Sequence, residues 1–229
     1  MFYDSFANRK RNKYGKILST KSFENLAKVA AGYSPAKILE IGIGQGIFYE
    51  KLKKEIPQME YTGIEASDTM YDEAKKKGIN AIKCFVPPFP AELERNGFDM
   101  VVMFNVLEHF VNYREVLEVM NGVSELLKPN GKFLLYYPCA RDWGTCFFEC
   151  DYSHSYATTQ YRTENLLHDS GFKVIGSDSY RACFNNFRPF FYIISRLVDL
   201  FPFLSIGKRI AFKKTVLTVA EKIPSPPAI

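Results

Sequence analysis

KILEIGIGQGIFYEKLKKEI, Lys37 to Ile56, holds the most informative run of the chain. Ile38, Leu39 and Ile41 form a compact apolar segment, and Gly42, Gly44 and Gly46 then alternate with other residues. The stretch from Gly46 to Ile56 has helical character and stops at Pro57. The order is strand, glycine turn, helix. Three alternate positions without side chains let a ligand approach the backbone, while the following helix offers its N-terminal amides.

The same alternation continues in both directions. MEYTGIE (Met59 to Glu65) reads as a strand, Asp68 to Lys77 as a helix with Asp68 as its N-cap, and Ile79 to Phe85 as a third strand. After a proline-rich loop at Pro87 to Pro90 come FDMVVMFNV (Phe98 to Val106), a helix from about Tyr113 to Leu127, and GKFLLYYP (Gly131 to Pro138). Upstream, Phe23, Leu26, Ala27 and Ala30 recur at helical spacing within Ser19 to Ala31. Strands interleaved with helices predict an α/β, doubly wound parallel sheet with helices on both faces. The unbroken apolar character of VVMF and FLLYY fits strands buried on both sides. Residues 139–161 are too irregular for a strand or a long helix. A helix near Thr163 to Asp169 is closed by Ser170 and Gly171, a strand spans Phe172 to Tyr180, and a final strand spans Lys214 to Ile223. The division is a basic N-terminal flap and helix over 1–33, a core over 34–188, and an apolar helical insert with the last strand over 189–229.

With 229 residues, 47% hydrophobic and 24% charged, the chain is long and apolar enough for a sizeable core, which excludes intrinsic disorder. The net charge of +5 is uneven: residues 1–28 carry seven Lys or Arg against two acids, and residues 189–229 carry six against two, so the middle is acidic. Five cysteines form no paired pattern and the polar, basic start does not read as a secretory leader, which predicts a reducing, cytoplasmic setting. The most apolar stretch, Pro189 to Gly207, is interrupted by Arg196, Asp199 and Pro202, so a spanning helix is not expected.

In a doubly wound sheet, ligands bind outside the carboxyl ends of the strands where the strand order reverses. Glycine spacing narrows the ligand. A dinucleotide fingerprint requires glycine at its sixth position, which is Ile47 here. At the end of the second strand Glu65 offers a carboxylate that can accept two hydrogen bonds from a ribose diol, although a strand-end acid can equally point into water.

ILEIGIGQGIF, the acid in GIEAS, FDMVVMFNVLEHF and LLKPNGKFLLYYP together resemble the class I S-adenosylmethionine-dependent methyltransferases, in order and at normal separations over roughly residues 34–180. The resemblance implies a Rossmann-like, seven-stranded, mostly parallel sheet with a final antiparallel strand. It also implies S-adenosylmethionine as cofactor. Gly42, Gly44 and Gly46 would lie under its methionine part, with Glu40 shaping the turn. Glu65 would bind the ribose, Ala66 would lie near the adenine, and Asn105 and Val106 would line the methionine end. Relatives often place an Asp after the third strand; this chain reads KCFVPP there, so Cys84 or Phe85 would meet adenine through backbone groups or packing.

Methyl transfer to a hydroxyl gains from a general base, so histidines separate acceptor classes. His109 faces the acceptor or bonds the adjoining backbone. His154, in DYSHSY, is a candidate base that Asp151 could orient, or a member of a structural turn. His168 reads as surface. Cys139, Cys146, Cys150 and His154 lack the close pair of a zinc site, so no metal is expected. Trp143, Phe147, Phe148, Tyr152, Tyr156 and Tyr161 either wall an acceptor pocket or pack among themselves. The insert over 189–207 reads as a helix packed on the sheet or on a second subunit, or as one lying peripherally on an anionic membrane beside Lys208, Arg209, Lys213 and Lys214. The N-terminal basic residues are few for nucleic acid; DNA is not expected, and RNA is a weaker fit than a small molecule. The expected function is O-methylation of a small hydroxylated, glycosidic or lipid-linked metabolite. The alternatives are an RNA methyltransferase and a non-catalytic cofactor-binding subunit.

Overall fold

A computed structural model describes residues 13–180, 193, 197, 209, 210 and 213–224. The basic segment 1–12 and most of the 189–207 insert lie outside the described residues, as do the expectations of a flap and of a membrane or subunit contact. No described helix is long and apolar enough to cross a membrane.

Helix α1 (Lys13–Ala31) precedes β1 (Lys37–Ile41), α2 (Ile47–Glu55), β2 (Glu60–Glu65), α3 (Asp68–Lys76), β3 (Asn80–Lys83) and β4 (Phe98–Phe104). A 3-10 turn (Leu107–His109) leads to α4 (Tyr113–Leu126) and β5 (Leu127–Pro138). Two short helices, α5 (Ala140–Trp143) and α6 (Cys146–Glu149), are followed by α7 (Gln160–Asp169), β6 (Phe172–Tyr180) and β7 (Thr215–Lys222). The sheet has seven strands in the order β3-β2-β1-β4-β5-β7-β6. β1 pairs in parallel with both β2 and β4, so the order reverses at its carboxyl end. β7 pairs antiparallel with β5 and β6, as the resemblance implied.

Alternation along the strands divides the core in two. Leu39, Ile41, Val101, Met103, Phe133 and Leu135 face α4, where Val116, Val119, Met120 and Val123 return at spacings of three and four. Ile38, Met100, Val102, Leu134 and Tyr136 face the other way, toward Leu26, Ala27 and Ala30 of α1 and Phe48 and Leu52 of α2. Both faces are therefore covered, which is why these strands lack polar alternation.

Local chemistry moves several boundaries. α3 is capped by Ser67, whose hydroxyl accepts the Met70 amide at 3.3 Å; Asp68, expected as the cap, is the first helical residue. β3 ends at Lys83, so Cys84 and Phe85 leave the sheet. α7 begins at Gln160, three residues before the expected start, because Thr159 accepts the Arg162 amide. Its far end matches the expected glycine cap: Gly171 has φ 80° and its amide donates to the His168 carbonyl at 3.1 Å.

Candidate functional site

A cavity of about 660 Å³ opens at the reversal point between β1 and β4, a size suited to a small-molecule ligand. Its floor is the glycine turn. Gly42, Gly44 and Gly46 all have positive φ (79°, 55° and 66°), which glycine adopts without penalty. A Cβ on Gly42 would stand 2.4 Å from Val106 Cγ2, whereas one on Gly44 would meet nothing within 4 Å. Gly42 thus serves packing and Gly44 borders space. Gly46 stands apart from the cavity lining; its Cβ would meet Ile79 Cδ1 at 3.0 Å, and it turns the chain into α2.

Two carboxylates flank this turn. Glu65, at the end of β2, accepts the Gly44 amide at 2.7 Å and the Ser67 amide at 2.9 Å, which holds its head at the cavity wall. Glu40 is buried at 2% exposure and accepts the Tyr61 hydroxyl. Burial pushes the Glu40 carboxyl up to about 8, against the Tyr61 hydrogen bond and with help from the charge of Glu65. Ala66, Cys84, Phe85, Asn105 and Val106 also line the cavity. Asn105 has φ 54° and donates its amide to the Tyr136 carbonyl at 2.7 Å, a left-handed turn that Asn tolerates well.

The opposite end is polar. It contains Glu108 and His109 from the 3-10 turn after β4, and Asp151 and His154 from the segment between α6 and α7. That segment is tied to the turn by main-chain bonds: the Ser155 and Tyr156 amides donate to the Glu108 carbonyl at 2.9 and 3.1 Å. It is tied to the sheet end by the Cys139 amide and the Trp143 indole, both on the Lys214 carbonyl at 3.2 and 2.8 Å. The Ala140 amide closes it on Thr158 at 2.9 Å.

The hydrogen bonds redistribute the expected roles. Asp151 accepts both the amide and the hydroxyl of Ser153, at 2.9 and 2.8 Å. The Ser153 proton is thereby committed, so at its 2.8 Å contact the Nδ1–H of His109 is the donor to Ser153 Oγ. Asp151 therefore orients His109 through Ser153. It does not orient the His154 ring, whose Nδ1 lies 2.7 Å from the Phe147 carbonyl and must carry a proton to donate to it. The neutral ring of each histidine keeps its Nε2 lone pair. Burial lowers His109 to about 4, aided by the neighbouring His154 and opposed by Asp151. Burial also lowers His154, so both rings are neutral near pH 7. The rings stand 5.0 Å apart in a T-shaped arrangement.

Sequence reasoning missed Glu108 and Ser153. Glu108 is 3% exposed, and burial pushes its carboxyl up to about 8. Its position beside His109 was a visible signal, but a carboxylate after a strand ordinarily faces water. Ser153 gave no signal, since a serine in a polar loop is unremarkable in composition. Of the aromatic residues in this region, Trp143 lines the cavity and Phe147 and Tyr156 are buried, while Phe148, Tyr152 and Tyr161 are exposed. His168, at 83% side-chain exposure, lies at the surface as expected.

A family model described as a methyltransferase domain matches residues 14–187. No curated protein matches the chain significantly. Among solved structures, the YcgJ protein of Bacillus subtilis aligns at TM-score 0.62 with 16% identity, over 90% of this chain and 99% of that one. A SAM-dependent methyltransferase of Archaeoglobus fulgidus aligns at 0.64 with 16% identity, over 89% and 94%. The [4+2]-cyclase SpnF aligns at 0.62 with 15% identity, over 88% and 81%. The fold is common to all three, whereas the chemistry of the last has a different name, so the acceptor must be read from the site.

Proposed function

The chain belongs to the methyltransferase-domain family, and from that premise we propose that it transfers a methyl group from S-adenosylmethionine to an oxygen of a small hydroxylated acceptor, free, glycosidic or lipid-linked. The cofactor end of the cavity fits the group. Gly44 borders space that a side chain would fill, and Glu65 is fixed where a ribose diol can donate to it and sets negative charge beside a cationic ligand. Ala66, Cys84 and Phe85 would contact the adenine, and Asn105 and Val106 the methionine end. When bound, the cofactor supplies an electrophilic methyl whose carbon–sulfur bond breaks with its electron pair going to sulfur.

One observation carries the choice of oxygen. His154 lines the cavity with Nδ1 engaged on the Phe147 carbonyl, which leaves Nε2 as its proton-accepting atom. An amine or carboxylate acceptor needs little beyond alignment, but a hydroxyl is a poor nucleophile until its proton is removed. His154 takes that proton. His109, steadied by Ser153 and Asp151, holds the acceptor oxygen, and Trp143 supplies an apolar wall.

The test is transfer of labelled methyl from S-adenosylmethionine to a panel of glycosides, quinols and catechols. His154→Ala is expected to lower kcat by about 10²- to 10⁴-fold, the usual contribution of a general base, with unchanged affinity for S-adenosylhomocysteine. Wild-type kcat in that variant would remove the oxygen-directed reading. Cofactor binding with no turnover on any acceptor would favour a non-catalytic subunit, and methylation of RNA alone would favour the nucleic-acid alternative.

A further inference from the structure

Glu108, His109 and His154 each offer one ligand atom, and the three atoms lie within 4.8 Å of one another. We infer that these residues form a binding site for one divalent cation of the borderline class that favours imidazole, with zinc and cobalt as its probes. The cysteine spacing led to the expectation of no metal; this cluster instead joins residues 45 positions apart and exists only once the loop before α7 is bound to the Glu108 carbonyl.

The buried carboxylate is the independent sign of a ligand. Glu108 is 3% exposed, lines the cavity, and its Oε2 has no hydrogen-bond partner among the described residues. Leaving such an oxygen unsatisfied is costly, and more so if it is charged. A cation at this point removes that penalty.

The histidines are prepared for the same occupant. An imidazole that binds a metal through one nitrogen typically donates its other N–H to a carbonyl or carboxylate, which fixes the ring and its tautomer. His154 does so to the Phe147 carbonyl, and His109 does so to Ser153 Oγ, itself backed by Asp151. Both outer partners sit on the Nδ1 side, which directs Nε2 to the inner task. Two neutral imidazoles and one carboxylate are a donor set suited to zinc and its neighbours, more than to magnesium or calcium.

Size is compatible. Bonds of about 2.0–2.2 Å to a tetrahedral ion set the donors roughly 3.4 Å apart, so no pair of ligand atoms need draw in by more than about 1.4 Å. Three protein ligands leave a fourth position, and here it faces the cavity, where an acceptor oxygen can complete the shell. With the cation held, His154 Nε2 would be a ligand and not a base; a hydroxyl bound at the fourth position would ionise more readily and its proton would pass to solvent water. Binding of the cation itself rests on neither the cofactor nor the acceptor. Failure of this site would leave His154 as the base, and failure of the oxygen-directed reading would leave the cation site standing.

The experiment titrates the full chain, stripped with chelator and dialysed, with Co²⁺ and then Zn²⁺, reading visible d–d absorption and stoichiometry. One equivalent of Co²⁺ is expected, with low-symmetry bands that Zn²⁺ displaces. His154→Gln and Glu108→Gln, checked for folding by circular dichroism, should each weaken binding by at least about 10- to 100-fold, the range lost when even outer partners are removed. His168→Ala, at an exposed histidine, should bind as wild type. No saturable Co²⁺ signal in the wild-type chain would overturn the inference without recourse to any variant. Loss of the signal in His168→Ala, or undiminished binding in folded His154→Gln, would overturn it as well.

Discussion

Gly42 and Gly44 are two residues apart, share the left-handed backbone region, and should fail in opposite ways when a methyl is added. At Gly42 the new Cβ would lie 2.4 Å from Val106 Cγ2, more than 1 Å inside an ordinary carbon–carbon contact. Overpacking of this kind costs about 1–3 kcal/mol, and a left-handed alanine adds about 1–2 kcal/mol. Gly42→Ala should therefore lose about 2–5 kcal/mol. At about 2–4 °C per kcal/mol for a chain of this size, Tm falls by roughly 4–20 °C. Gly44→Ala meets nothing within 4 Å, so only the backbone cost of about 1–2 kcal/mol applies. Its methyl instead intrudes on the space assigned to S-adenosylmethionine. Calorimetric titration with S-adenosylhomocysteine should show at least about tenfold weaker binding for Gly44→Ala, while scanning calorimetry shows the larger Tm loss for Gly42→Ala. Val106→Ala removes the clashing methyl, so the Gly42→Ala/Val106→Ala double variant should recover part of the loss beyond additivity. Purely additive Tm losses in that cycle, or wild-type affinity in Gly44→Ala, would refute the division of labour.

The Glu40 carboxyl has its folded pKa raised to about 8 from an ordinary 4.5 by burial; the folded state then holds a proton that the unfolded chain releases, so stability falls as pH rises from about 4.5 to 8, by up to roughly 1.4 kcal/mol per pH unit. Glu40→Gln should flatten the Tm profile across that window, and an unchanged slope would assign the effect elsewhere. Lys222, 9% exposed, donates to Asn96 Oδ1 and the Leu127 carbonyl, both at 2.7 Å; Lys222→Met should cost about 1–3 kcal/mol in urea unfolding by stranding that carbonyl, and no shift in midpoint would show that water replaces the amine. On the membrane reading of residues 189–207, vesicles rich in anionic lipid should sediment the protein in a salt-sensitive way; full recovery in the supernatant excludes it.

The glycine-turn end of the cavity was legible because its residues are local. Gly42, Gly44, Glu65 and Val106 all sit at the ends of parallel strands, where chain order and hydrophobic runs already fix position. The polar end was legible only as residue types. His109 and His154 were visible, but which of them Asp151 serves depends on Ser153 lying between the two loops at hydrogen-bond distance, and no periodicity encodes that. The same holds for Ser67 displacing Asp68 as the α3 cap: both residue types are good caps, and the choice is made by where the strand before them ends.

The segment 139–159 carries one further consequence. Many of its attachments are made through main-chain atoms, Cys139 and the Trp143 indole on the Lys214 carbonyl, Ala140 on Thr158, Ser155 and Tyr156 on the Glu108 carbonyl, beside side-chain ties from His109 to Ser153 and from Arg209 to Glu149. The main-chain anchors are nearly indifferent to side-chain identity, and none of these ties touches the glycine turn or Glu65. On the proposed reading, the segment that encloses the acceptor is thus separable from the glycine turn that would hold the cofactor. A graft that keeps the Trp143 indole, Ser153, Glu149 and the two ends of the segment should, on that reading, change which molecule is methylated and leave the affinity for S-adenosylhomocysteine unchanged.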